Sequence, residues 1–250
     1  AAHGHGDGDG RRELIIGFAE KNPDGPDRRI GIARPADDPY EPWVVQPISA
    51  AGAPNTQRYA HGLGVGDING DQRNDIVVPQ GWWEQPADAA STEWKFHPAA
   101  LGDKCADMHV QDLDGDGDAD VLSSSAHAYG IWWHEQLEEG KWRTHEIDKS
   151  YSQTHALCVA DMNGDGLRDF VTGKRWWAHG GRDPGGDQPA VFHWYEFSQT
   201  DGKPTWTRHQ FDHDSGPGTQ FQLADINNDK LIDVVTSNKK GVHVFLQIRK

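Results

Sequence analysis

One stretch of the sequence carries acidic residues at the spacing of a cation-binding loop. Asp112, Asp114 and Asp116 place carboxylates at alternate positions, and Asp120 closes the stretch after a backbone carbonyl at its seventh position. Calcium takes about six to eight oxygen ligands in flexible geometry, which this rhythm supplies. The closing acid stands at the ninth position, and a predicted strand follows from Val121, which argues against an EF-hand. We therefore expect a calcium loop between two strands.

The same loop recurs along the chain, each time directly before an apolar run. The predicted calcium ligands of the four good copies are Asp67, Asn69, Asp71, Asp75, Asp112, Asp114, Asp116, Asp120, Asp161, Asn163, Asp165, Asp169, Asp225, Asn227, Asp229 and Asp233. A degraded fifth copy at the start of the chain places His5, Asp7, Asp9 and Glu13 in register. Self-similarity at a regular period predicts a repeat architecture, with about four structural Ca²⁺ sites.

Composition excludes several classes of protein. The formal net charge is -15 over 250 residues, and much of the acidity sits in the loops, whereas nucleic-acid binding needs a basic face. No apolar run reaches membrane-spanning length. Cys105 and Cys158 are too few for a disulfide scaffold and could pair only if the starts of neighbouring units approach. Weak calcium loops fill best at extracellular concentrations, so we expect a secreted or periplasmic protein.

Each unit is predicted to contain four short strands, named A to D. In the third unit these are Asp107–Gln111, Asp120–Ser123, Gly130–His134 and Lys141–Glu146. The fourth unit adds a Gly/Pro-rich excursion from Trp177 to Pro189 before its strand C. Short strands between turn residues predict an all-β fold, and four-stranded units repeated radially form a β-propeller. We expect a single domain with five units, at approximately 1–57, 58–104, 105–152, 153–216 and 217–250.

The two ends of the chain do not complete a ring in this interpretation. The chain is predicted to start inside a calcium loop with essentially no strand A, and to end on a strand C, Gly241–Gln247. An unpaired edge strand is a feature that native proteins avoid. We therefore expect N-terminal blades to be missing and the intact propeller to have more than five blades.

The loops and units resemble the FG-GAP/VCBS family of calcium-loop β-propellers over essentially the whole chain. The segments His61–Gln85, Asp107–Gln136 and Ser152–Gly180 also resemble a bacterial subgroup of secreted propellers, which usually have seven blades. More distantly, the Trp- and His-rich units are similar to the propeller domain of aldos-2-ulose dehydratase. That resemblance implies a metal-dependent lyase or isomerase acting on oxidised sugars. The motif is specific for the fold and its calcium, while the same propeller serves receptors, lectins and lyases.

Strand direction separates the loops from a second set of polar residues. All calcium loops lie at the ends of strands A, so the starts of strands A and the B–C connections lie on the opposite face, around the central channel. The strand-A starts supply His61, Asp107, His109, His155 and Gln220. The B–C connections supply Gln80, His127, Lys174, Arg175, Lys239 and Lys240, with Trp82, Trp132 and Trp176 close by, and the first unit adds Glu20 and Lys21. Titratable groups next to apolar walls are typical of a functional site.

His61 and His155 stand at equivalent positions, six residues before their loops. With His109 or Asp107 they could bind zinc or a similar divalent cation, and the alternative is a set of hydrogen-bonded channel residues without metal. Lys174 and Arg175 would offer positive charge to a carboxylate or an enolate. Their alternative is a solvated loop.

Other members of this face have roles in the same hypothesis. Asp107 or a histidine would act as general base. Gln80, Trp82, His127, Trp132, Trp176 and Gln220 are the predicted substrate-binding residues. At least one Trp of each pair at strand C is expected in the blade core.

Two functions remain open on the sequence. The first is an enzyme that removes the proton alpha to a carbonyl or carboxylate of a sugar derivative, in an elimination or isomerisation assisted by a cation. The second is a non-catalytic propeller that binds a glycan or a protein. Lectin propellers tend to repeat one pocket per blade, whereas the channel residues here differ from blade to blade. That asymmetry favours a single central site and hence an enzyme.

Overall fold

A computed structural model describes residues 2–4, 13–19, 21–22, 25–88, 91–92, 94–102, 104–105 and 107–249, with the backbone alone for 2–4 and 139. Most of the degraded first loop, with His5, Asp7 and Asp9, lies outside the described residues, as does Glu20.

Within the described residues, nineteen strands form five antiparallel sheets, which are the blades of a β-propeller and are called blades 1 to 5 in chain order. Blade 1 contains β1 (Ala2–Gly4), β2 (Glu13–Ala19), β3 (Arg28–Arg34) and β4 (Val44–Pro47). Blade 2 contains β5 (Gly64–Gly66), β6 (Asp75–Val78), β7 (Gly81–Glu84) and β8 (Lys95–Pro98). Blade 3 contains β9 (His109–Gln111), β10 (Asp120–Ser124), β11 (Tyr129–Leu137) and β12 (Lys141–Ser152). Blade 4 contains β13 (Leu157–Ala160), β14 (Asp169–Lys174), β15 (Val191–Thr200) and β16 (Lys203–Asp212), and blade 5 contains β17 (Phe221–Ala224), β18 (Asp233–Asn238) and β19 (Gly241–Phe245).

The all-β propeller prediction is confirmed, and one detail of it is wrong. Strand β1 pairs with β2 and serves as the inner strand of blade 1, where the sequence was expected to lack one. Blade 5 shows three strands within the described residues, as expected. Two short 3-10 helices, Glu138–Gly140 and Ala178–Gly181, interrupt the strands. No helix in the described part of the chain is long and apolar enough to cross a membrane.

The core consists of apolar clusters between consecutive blades. Successive side chains of a strand point to opposite faces of the sheet, so each second strand packs against two neighbouring blades at once. Val121 of β10 packs with Val77 of blade 2. The next residue, Leu122, packs with Phe170 of blade 4. This explains why all five residues of β10 are buried, and why apolar residues stand at the consecutive positions Val121 and Leu122.

Neighbouring inner strands approach each other closely, and glycine permits the approach. A Cβ added to Gly64 of β5 would lie 2.5 Å from the carbonyl oxygen of Met108, beside β9. A Cβ added to Gly66 would lie 2.5 Å from Cβ of Val110. The Gly-rich strand A of blade 2 therefore reflects packing around the propeller axis. Cys105 and Cys158 are free thiols.

Candidate functional site

The acidic loops lie together on one face, and each is ordered by the same hydrogen bonds. The first Asp accepts backbone N–H groups from within its own loop: Asp112 Oδ1 accepts from Gly115 at 2.7 Å and Oδ2 from Gly117 at 3.1 Å. Asp161 accepts from Gly164 and Gly166 in the same way. The loop conformation is therefore encoded by the first carboxylate.

The carboxylates of the blade 3 loop converge. Oxygens of Asp112, Asp114 and Asp116 all lie within 4.8 Å of one another. Burial, together with the charges of Asp116, Glu135 and Asp112, raises the pKa of Asp114. A divalent cation among these oxygens would neutralise like charges and receive the hard oxygen ligands that calcium prefers. The donor set therefore fits calcium.

The closing Asp of each loop has a second role as a brace. Asp120 is buried, and its Oδ2 accepts the N–H of Leu113 at 3.1 Å while its Oδ1 accepts the N–H of Gln136 at 2.8 Å. Asp75, Asp169 and Asp233 accept the corresponding pair of backbone N–H groups in their blades. Burial raises the pKa of Asp75 and of Asp120 to about 6. Each closing carboxylate thus ties the loop to the end of strand C.

A second repeated feature joins strands C and D. In blade 3 the ring of His145 stacks on Trp133 at 4.2 Å between ring centroids, and its Nε2 lies 2.7 Å from Glu135 Oε2. Equivalent sets are Trp82, Glu84 and His97 in blade 2, and Trp194, Glu196 and His209 in blade 4. We call these three sets the Trp–Glu–His braces. The Trp-x-Glu spacing that supplies two members of each brace repeats in the sequence of all three blades.

The starts of the inner strands and the B–C connections lie on the opposite face, where they line one cleft of about 830 Å³. We call it the histidine cleft. It is lined by Asn55, Gln57, Arg58, Tyr59, His61, Pro79, Gln80, Lys104, His127, His155, Arg175, His179, Asp183 and Thr219. A cavity of about 330 Å³ adjoins it and shares His61 and His155 with it, and its wall includes Asp107 and Gln220. The cleft therefore collects side chains from blades 2, 3 and 4.

The imidazoles in the cleft are in contact. The ring centroids of His61 and His127 lie 4.6 Å apart, those of His61 and His155 5.2 Å apart, and those of His127 and His179 4.7 Å apart. Nε2 of His61 and Nε2 of His127 are 3.0 Å apart. The predicted pair His61 and His155 is thus brought together, and two further histidines join it.

The Gly/Pro-rich excursion of blade 4 supplies the carboxylate of the cleft. Asp183 Oδ2 accepts a hydrogen bond from Gln153 Nε2 at 3.0 Å and lies 2.8 Å from His179 Nδ1 and 3.2 Å from His127 Nδ1. Trp177 and His179 have positive φ angles of 48° and 49°, a conformation that residues with side chains seldom adopt. The excursion is therefore held in a specific, strained conformation that aims two polar groups at blade 3.

The protonation of the cleft follows from its burial. Burial, with the charge of Arg175 next, lowers the pKa of His155 to about 4. His155 Nδ1–H donates to the carbonyl oxygen of Thr219 at 3.1 Å, which leaves Nε2 as an acceptor. Hydrogen bonds from the neighbouring His and Gln side chains outweigh burial and lower the pKa of Asp183 to about 2. At neutral pH the cleft therefore holds a neutral imidazole at His155 beside an ionised carboxylate at Asp183.

The two predicted cationic side chains, Lys174 and Arg175, lie in different environments. Burial lowers the pKa of Arg175, whose Nη2 donates to the carbonyl oxygen of Ala126 at 3.1 Å, while its Nε is buried without a hydrogen-bond partner among the described residues. Lys174 is fully buried, and its Nζ donates to the carbonyl oxygens of Arg175 and Gly186. Arg175 faces the cleft. Lys174 lines neither cavity, because its Nζ is held against the backbone of the excursion at Gly186.

Two acid–base candidates lie away from the cluster of imidazoles. His109 Nε2–H donates to the carbonyl oxygen of Leu157 at 2.9 Å, and burial lowers its pKa. Asp107 accepts from Gln220 Nε2 at 3.2 Å in the adjoining cavity. The three-donor groups within 4.8 Å among the described residues contain neither of them. The predicted zinc set of His61, His155 and His109 or Asp107 is therefore not brought to one point.

The three Trp residues that were predicted to bind substrate lie in different environments. Trp82 is buried between blades 2 and 3 as part of a brace, and Trp132 lies over Gly130. Trp176 is half-buried, with Lys240 Nζ 5.6 Å from its ring centroid, and lines a cavity that adjoins the cleft at Arg175 and His179. Gln80 and His127 lie in the cleft as expected.

Comparison with known proteins supports the fold and its repeat. Residues 112–172, from the blade 3 loop to strand β14, match the model of the FG-GAP-like repeat family. No curated protein matches the chain significantly.

Two solved structures are similar in fold. One is a lectin of Agrocybe aegerita that specifically recognises non-reducing terminal N-acetylglucosamine; it is 17% identical with a TM-score of 0.54, over 93% of this chain and 58% of the lectin. The other is the V. cholerae biofilm matrix protein Bap1, 14% identical with a TM-score of 0.41, over 93% of this chain and 33% of that protein. The chain thus spans less than two thirds of the length of either protein.

Proposed function

We propose that the histidine cleft binds a carbohydrate-derived ligand and acts on it by elimination or isomerisation. The observation that carries this proposal is convergence: within the described residues, four imidazoles, one carboxylate and two guanidinium groups from three blades meet in a single cleft that is not repeated in the other blades. In a solvated loop, we would expect Arg175 to be exposed and the backbone of His179 to be unstrained, whereas Arg175 is buried and His179 has a positive φ angle. Perturbed titratable groups in a cleft are typical of catalytic sites.

The residues present can divide the chemistry of an elimination. Neutral His155 would accept the proton alpha to a carbonyl or carboxylate, and the electron pair would move into an enolate held by the Arg175 guanidinium. The pair would then expel the oxygen substituent at the beta carbon, which takes up the proton that His155 accepted, so that the ring returns to its neutral form. Charge stabilisation at the enolate is usually the largest contribution to such a step.

A glycan-binding propeller without catalysis is the second candidate. The lectin of Agrocybe aegerita has the same fold and binds a terminal sugar. Tyr59, 74% exposed at the rim of the cleft, offers an aromatic face of the kind on which a sugar ring packs. Under this reading the cleft binds a glycan and leaves it unchanged.

The two candidates are separated by incubating the chain with uronate-containing and neutral polysaccharides. Elimination yields an unsaturated product that absorbs in the ultraviolet, and isomerisation changes the sugar spectrum seen by NMR. Turnover supports the first candidate, and binding without turnover supports the second. Absence of both binding and turnover across the panel would contradict a carbohydrate function.

Calcium has a structural role in this proposal. The loop carboxylates would bind Ca²⁺ and brace strands A and B of their blades, remote from the chemistry. Such sites fill at extracellular calcium concentrations, which agrees with a secreted or periplasmic location. Calcium should therefore raise the unfolding temperature of the wild-type chain, and an unchanged temperature after chelation would contradict this role.

A further inference from the structure

A chain of hydrogen-bonding groups crosses the histidine cleft from blade 2 to the blade 4 excursion. The carbonyl oxygen of Tyr59 lies 2.7 Å from His61 Nδ1. His61 Nε2 lies 3.0 Å from His127 Nε2, and His127 Nδ1 lies 3.2 Å from Asp183 Oδ2. Both ends of this chain, a carbonyl and an ionised carboxylate, can only accept hydrogen bonds.

This series of hydrogen-bonding groups is one proton short. Each of its three gaps needs a proton, and two neutral imidazoles carry only one each. One gap must therefore bring two lone pairs face to face unless an additional positive charge is present. Either a further proton or a bound cation would remove this clash, and the ligand atoms grouped around one of the gaps favour a bound cation.

The gap between His127 and Asp183 is surrounded by three potential ligand atoms. His179 Nδ1 also points at Asp183 Oδ2, at 2.8 Å, and the donor atoms of His127, His179 and Asp183 all lie within 4.8 Å of one another. In a tetrahedral zinc site, metal–nitrogen bonds of about 2.0–2.1 Å place neighbouring ligand atoms about 3.3 Å apart. The distances from Asp183 Oδ2 to the two histidine nitrogens, 2.8 and 3.2 Å, lie close to that spacing.

We propose that His127 Nδ1, His179 Nδ1 and Asp183 Oδ2 bind a divalent transition metal of the zinc type, and that His61 orients His127. Two imidazoles and one carboxylate suit such metals, and three protein ligands leave a coordination position open to the cleft. His61 accepts the Nε2–H of His127, which fixes the tautomer that directs the Nδ1 lone pair at the metal. The proposal deepens the function proposed for the same cleft and rests on it for the role of the metal.

The metal can be tested without any carbohydrate by using Co²⁺ as a spectroscopic probe. The full chain is stripped with chelator, supplied with excess Ca²⁺ to fill the acidic loops, and titrated with Co²⁺. Intense visible bands of low-coordinate cobalt, saturating at one equivalent and displaced by Zn²⁺, are expected. Absence of those bands in the wild-type chain would overturn the proposal.

Variants assign the ligands. His179 is exposed on the excursion, so His179→Ala should keep the fold while abolishing the bands, and Asp183→Asn should act in the same direction. His61→Gln should weaken Co²⁺ binding by about 10–100-fold, the usual effect of removing a group that orients a ligand. The matched control His213→Ala removes an exposed histidine outside the cleft and should change nothing. Unchanged bands in His179→Ala would also overturn the site.

The outcome is independent of the proposed function. A chain that shows the cobalt bands but neither binds nor converts any polysaccharide keeps the metal site and loses the carbohydrate function. A chain that converts a polysaccharide without the bands keeps the function and loses the metal site.

Discussion

The two faces of the propeller use the repeat in opposite ways. On the loop face, each of four blades presents Asp at the first, fifth and ninth positions of its loop, and the closing carboxylate accepts the same backbone hydrogen bond. On the opposite face, equivalent positions carry different residues, and the most distinctive contribution comes from an excursion that belongs to blade 4 alone. Repeated parts serve each blade, whereas the unrepeated parts converge on one cleft.

This difference indicates where selection for stability and for chemistry would act. A residue that recurs in register solves a local problem, such as closing a loop or joining two strands, once per blade. His61, His127 and Asp183 instead contact one another across two blades and the excursion, so their contacts do not serve a single blade. Variants on the two faces should therefore separate stability from ligand binding.

The largest stability effect is expected from a closing carboxylate. Asp120→Ala leaves two buried N–H groups without their acceptor, which should lower the free energy of unfolding by about 3 kcal/mol. Urea denaturation in calcium-free buffer measures it without a contribution from metal. Asp118→Ala, in an exposed part of the same loop, should have almost no effect. Similar losses in the two variants would remove the distinction between brace and loop surface.

A buried histidine of the blade core should make stability depend on pH. His134 bonds to Ser123 and Thr144, and burial lowers its pKa to about 4. Its folded-state pKa lies below its unfolded value, so its contribution is present above about pH 6.5 and lost as the pH falls towards 4. His134→Gln should reduce the slope of stability against pH in that window by up to about 1.4 kcal/mol per pH unit. Chemical denaturation at several pH values measures this slope, and equal slopes would contradict the shift.

The smallest effect is expected from the Trp–Glu–His braces. Glu135→Gln, Glu84→Gln and Glu196→Gln each weaken the bond to the stacked histidine, and the first two also remove a surface ion pair, with Arg143 and Lys95. Because these pairs are partly exposed, each variant should cost under about 1 kcal/mol. Because the braces are equivalent, thermal unfolding midpoints should fall by similar amounts in the three variants. A large loss confined to one blade would show that its brace has a different role.

The sequence predicted the fold well because the position of each loop fixes the positions of the strands on either side of it. Each Asp loop marks the junction between strands A and B, and the buried strand that follows reads as an apolar run. The predicted strand B of the third unit, Asp120–Ser123, therefore agrees with β10 to within one residue. Counting back from the loops also placed His61 and His155 on one face, where the structure brings them together.

The composition of the cleft was less predictable, because it depends on contacts outside the repeat. His179 and Asp183 lie in a Gly/Pro-rich excursion whose path is set by its packing against blade 3, and only their spacing of four residues hints at a shared role. Lys174 ends a strand that is buried on both faces. Its side chain was expected to face the channel, and it is instead buried against the backbone of the excursion. The repeat pattern of the sequence predicts neither the path of the excursion nor the burial of Lys174.

The central claim is that ligand chemistry belongs to the unrepeated face, and a matched pair of histidine variants tests it most directly. His155→Ala alters the cleft, and His209→Ala alters a brace on an outer strand. Binding and turnover of the polysaccharide panel are compared for both variants with the wild type, after circular dichroism shows that each is folded. We predict that His155→Ala lowers activity by about 100-fold or more, the usual contribution of a general base, while His209→Ala leaves it unchanged. The reverse result, with activity lost in His209→Ala and kept in His155→Ala, would contradict the account.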